Sequence, residues 1–90
     1  MRHDMNPDSA ETLALKALTF LLKSQAACER FSAQSGVEGS TLGRRLAEPE
    51  VLAAVLDFLL SDEELLVEFC AVESVNAQSM HRARYILGGR

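Results

Sequence analysis

Ninety residues, 48% apolar and 24% charged, suffice for one domain with a single modest core, and this balance excludes disorder as the default state. A formal net charge of −4 weighs against nonspecific binding of nucleic acid or anionic membrane by the chain as a whole, while leaving room for local basic patches. The two cysteines, Cys28 and Cys70, lie inside helical patterns without C-x-x-C or histidine spacing, so they read as reduced thiols of a cytoplasmic protein.

Residues 1–7 (MRHDMNP) have no periodicity and are expected to form a disordered tail, with one helical domain from residue 8 to residue 90. The D-x-x-E of Asp8 and Glu11 opens a helix over residues 9–23. Its wheel puts Thr12, Lys16, Thr19 and Lys23 on one polar stripe and gives the rest to Leu13, Ala14, Ala17, Leu18, Phe20, Leu21 and Leu22. This first apolar run follows Asp4, Asp8 and Glu11 and contains Lys16, unlike the basic-then-apolar order of a secretion signal. No apolar run approaches the roughly 20 residues a membrane span needs.

Ser24 caps a helix over 25–35 that turns Ala27, Cys28, Phe31 and Gln34 inward, and Gly36 followed by Val37 ends it with a left-handed residue. Ser40 or Thr41 then starts a short helix, TLGRRLA (41–47), burying Leu42 and Leu46; Gly43 in its middle costs about 1 kcal/mol against Ala.

The stretch PEVLAAVLDFLL, residues 49–60, is the most apolar of all. Pro49 suits a first helical position. Glu50, Asp57 and Ser61 share a narrow polar stripe, and the remaining residues cover roughly 200°, about twice the apolar face of a surface helix. Such a helix must be covered on several sides. Ser61 with Glu64 forms an S-x-x-E capping box for the next helix, which turns Leu65, Leu66, Phe69 and Val72 to the core. Asn76 caps a last helix running to Leu87, with Ala77, Met80, Ala83, Ile86 and Leu87 inward and Gln78, His81, Arg82 and Tyr85 outward. Gly88-Gly89 end it.

A shift of 38 residues lays ALTFLL over VLDFLL, Phe31 over Phe69 and Arg44 over Arg82. The expected fold is therefore all-α: a compact bundle of five to six helices in two pseudo-repeated three-helix units, about 9–47 and 48–89.

Arginine and tyrosine on one face can hold phosphates and stack on bases. His81, Arg82, Arg84 and Tyr85, joined by Arg44 and Arg45 if the third helices adjoin, are the candidate anion or nucleic-acid surface. The plainer reading is that cations near a helix C-terminus offset its dipole, for about 0.3–1 kcal/mol each. Glu50 and Asp57 against Lys16 and Lys23 are candidates for guiding a two-fold dimer. Asp57 alone has no partner for acid–base work, and Cys28 and Cys70 sit among apolar neighbours that keep thiols inert. No ligand spacing for zinc joins His3, Cys70, Glu73 and His81, and no catalytic, metal or cofactor constellation is visible.

The run PEVLAAVLDFLLSDEELLVEFC, with AETLALKALTFLLKS before it and HRARYILGG after it, resembles a family of short alphaproteobacterial proteins classed as domain of unknown function 3572. That resemblance implies a bacterial, cytoplasmic, helical protein and carries no functional residues over. The expected function is a noncatalytic protein–protein interaction module or homodimer, with Glu63, Glu64, Val67 and Glu68 as one outward surface; the alternative is a nucleic-acid binder using the arginine and tyrosine surface.

Overall fold

Only Glu50 and Asp57 interrupt the apolar surface of Pro49–Leu60 with charge, and the chain folds so as to cover the rest of that helix. The computed structural model describes residues 6–36 and 48–88 as five helices: α1 (Pro7–Leu22), α2 (Gln25–Ser35), α3 (Pro49–Leu60), α4 (Glu63–Glu73) and α5 (Ala77–Gly88). The short helix expected at 41–47 and the tail at 1–5 lie outside the described residues. Val51, Leu52, Ala53, Val55, Leu56, Phe58 and Leu59 of α3 are all buried, chiefly against α1 and α5. α1 contributes Ala10, Leu13, Ala14, Ala17, Leu18 and Leu21, and α5 contributes Met80 and Ala83. The three alanines of α1 are fully buried and let neighbouring helices approach closely.

Helix ends follow local hydrogen-bond chemistry, with two departures from expectation. α1 starts earlier than the D-x-x-E pattern suggests, because the Ser9 amide donates to the Asn6 side chain (2.7 Å) and Pro7 occupies the first turn at no hydrogen-bond cost. The corner between α3 and α4 is capped by Asp62, not by Ser61. Ser61 still closes α3, its amide donating to the Asp57 carbonyl (3.0 Å) and its hydroxyl to that of Phe58 (2.8 Å), so the next residue is left to accept from the Leu65 amide (3.2 Å). A carboxylate also suits the positive end of a helix better than a hydroxyl. Ser24 and Gly36 cap α2 as expected, Gly36 at φ 81°.

The flanking helices α2 and α4 are held more lightly. Each has a phenylalanine buried to 0% exposure, Phe31 and Phe69; α4 buries nothing else completely, with Leu65, Leu66 and Cys70 partly covered. Val72, expected inside, is 64% exposed, and Gln34, Leu22 and Ala77 are exposed as well. The two flanking rings cross between segments: Phe69 packs edge-on to Phe20 (centroids 5.4 Å, 64°) and Phe31 to Phe58 (5.6 Å, 78°). Such pairs add about 0.5–1.5 kcal/mol each beyond the area they bury. Phe20 and Phe58 stand 38 residues apart, as do Phe31 and Phe69, so that shift exchanges the two pairs; Phe58 is nevertheless buried and Phe20 only half-buried.

α4 ends on Ser74, a non-glycine residue in the left-handed region (φ 59°, ψ 40°). That conformation costs a residue with a Cβ about 1–2 kcal/mol, part of which glycine loses again to its freer unfolded chain. Ser74→Gly should therefore stabilise the protein by roughly 0.5–1 kcal/mol, seen as a melting temperature several degrees higher.

Candidate functional site

Of the candidate cationic surface, the structure keeps His81, Arg82 and Tyr85 together on the outer side of α5, where Tyr85 is 77% exposed. Arg84 faces another way. Its Nε donates to Asp57 Oδ1 (2.6 Å), and its guanidinium lies over Gly88, where a Cβ would collide with Nη1. The hydrogen bond that Arg84 donates to the Asp57 carboxylate pushes the Arg84 pKa up. Arg84 and Asp57 thus clamp α5 to α3, and Arg84 is turned away from the outward side that His81, Arg82 and Tyr85 share. Arg44 and Arg45 lie outside the described residues.

The more distinctive surface is the seam between α1 and α4, which run antiparallel. Lys16 Nζ is 3.7 Å from Glu73 Oε1, Phe20 meets Phe69, and beyond them a groove of about 270 Å³ opens, lined by Phe20, Lys23, Ser24, Ala27, Leu65 and Glu68. Side chains bridge this seam, with lysines along the α1 edge and glutamates along the α4 edge. Val72 stands exposed on α4 close by, and Val67 is 62% exposed on its outer side. The lysine stripe of α1 is legible in the sequence; within the chain the carboxylates beside it are Glu68 and Glu73.

The other ring pair is closed over by the chain itself. Arg30 places its guanidinium 5.6 Å from the Phe58 ring centroid and donates from Nη2 to Asp62 Oδ2. The Arg30 hydrogen bond and then the Leu65 amide hold the Asp62 carboxyl below its ordinary value. A carboxyl with a depressed folded-state pKa stabilises fully above its unfolded pKa of about 4, and that stability is lost as pH falls through the lower folded value. Arg30→Gln should move the Asp62 pKa, read by NMR titration, up toward the ordinary carboxylate range and remove its share of the acid-side loss of stability.

Neither thiol is lowered toward the thiolate. Burial pushes both Cys28 and Cys70 up, Glu29 adding to the effect at Cys28, whose Sγ donates to the Leu21 carbonyl (3.2 Å). Among the described residues no group of three or more His, Cys, Asp or Glu side chains could hold a metal ion, and no helix is long and apolar enough to cross a membrane. No polar or charged residue among them is buried. What the seam can do chemically is adhere: it joins half-covered aromatic and aliphatic surface to rims of opposite charge.

Compared with known families, residues 7–90 match the one described as Protein of unknown function (DUF3572). No curated protein and no solved structure matches the chain.

Proposed function

The chain belongs to the DUF3572 family of proteins of unknown function, and for it we propose the role of a noncatalytic protein interaction module whose docking face is the seam between α1 and α4. The observation that carries this reading is half-buried Phe20 between the charged rims of one groove, with exposed Val72 one turn beyond Glu68 along α4. Interfaces gain affinity from aromatic and aliphatic anchors and direction from the charges around them. The same reading keeps the protein in a bacterial cytoplasm, consistent with two unpaired thiols, and takes its two halves as copies of one helical unit. To test it, the immobilised protein is exposed to native cytosol beside Val72→Glu, a surface change that leaves the core intact. Saturable capture lost in the variant supports the reading; capture indifferent to Val72→Glu contradicts it.

The exposed His81, Arg82 and Tyr85 favour a second reading, a nucleic-acid surface on α5. It requires retardation of short strands at low salt that fades as salt rises and on Arg82→Ala. Arg84→Ala also breaks the clamp to Asp57, so it does not report on this surface alone. A chain that retards no strand removes this reading.

A further inference from the structure

We propose that the α1/α4 face seats a second copy of this chain, related by a two-fold rotation that lays the lysine edge of α1 in each protomer over the glutamate edge of α4 in the other. This rests on the interaction reading above and names its partner.

At one end of the seam Lys16 and Glu73 answer each other within the chain. At the other, Lys23 and Glu68 stand on the groove, and among the described residues neither makes an ion pair or a side-chain hydrogen bond. A face carrying one cation and one anion on opposite rims is self-complementary under a two-fold axis: Lys23 meets Glu68 of the second copy and Glu68 meets its Lys23, so one rotation answers both. A foreign partner would have to reproduce both signs at the same spacing. Between the rims the floor is apolar, formed by Phe20, Ala27 and Leu65.

The closed side of the molecule shows what such a ring does when a cation is within reach. There Arg30 covers Phe58 and bonds Asp62. Shifted by 38 residues, the place of Arg30 is taken by Glu68 and that of Asp62 by Ser24. Among the described residues no cation covers the equivalent ring, Phe20, and Lys23 of a second copy, drawn to Glu68, brings a cation and its aliphatic stem over it.

The test is sedimentation equilibrium of the full chain across concentration and salt, with folding of each variant confirmed by circular dichroism. The expected result is a dimer that loosens as salt rises. Lys23→Glu and Glu68→Lys should each weaken it roughly tenfold or more, since the symmetry installs each like-charge contact twice, and combining them should restore it. A monomer at every concentration overturns the proposal. So does a dimer indifferent to both single substitutions, or a double variant no tighter than either. A monomer that still captures a Val72-dependent partner from cytosol overturns the pairing alone and leaves the interaction reading standing.

Discussion

Phe69→Ala should release α4 while the rest of the fold stays assembled. Phe69 is the single residue of α4 with no exposure, and its ring is the helix's aromatic link to α1. Truncating a buried phenylalanine costs about 3–5 kcal/mol. α4 has little to set against that, since Leu65 and Leu66 are only partly covered and Val67 and Val72 are in water. A free helix of 11 residues is marginal, because isolated helices shorter than about 12–15 residues barely form. The main core, in which α3 packs on α1 and α5, draws one fully buried side chain from α4, Phe69. The expected outcome is a set of amide NMR signals from Glu63–Glu73 at random-coil positions, with those of α1, α3 and α5 near their original places. Loss of all signals together would show that α4 is an integral part of the core.

Leu56→Ala should have the opposite character and unfold the domain as a unit. Leu56 has no exposure and sits on the helix that α1, α2, α4 and α5 all touch. The change costs about 2–5 kcal/mol, a large share of the roughly 5–13 kcal/mol expected for a domain of this size. In urea the midpoint should fall steeply with all probes coincident. Leu22→Ala, a chemically identical change at a residue 52% exposed, should cost only a small fraction of that.

That contrast also marks which parts of the fold the residue pattern reveals. The wide apolar face of Pro49–Leu60 leaves a helix no option but the centre, and Pro49 and Gly36 mark helix ends through constraints local to one or two residues. The choice between Ser61 and Asp62 as cap is not local: it depends on where α3 releases its last carbonyls. Val72 and Gln34 fall on the inward arc of their wheels, yet the short flanking helices reach the core through their first two turns, at Ala27 and Phe31 and at Leu65, Leu66 and Phe69, and Gln34 and Val72 in their last turns miss it. The candidate surfaces follow the same logic. His81, Arg82 and Tyr85 face outward as their phase requires. The clamp of Arg84 to Asp57 joins residues 27 positions apart, and the lysine edge of α1 finds its glutamates on a helix more than 40 positions away. Periodicity reports which face of a helix is apolar. It does not say which helix comes to lie alongside.

α4 is an acidic, amphipathic helix joined to the core by one fully buried ring. Native-state hydrogen exchange, at a dilution where copies of the chain are separate, tests this directly. The expected pattern is strong, shared protection in α1, α3 and α5, with the amides of Glu63–Glu73 opening together at a distinctly lower free energy. Protection in α4 equal to that of α3 would contradict it.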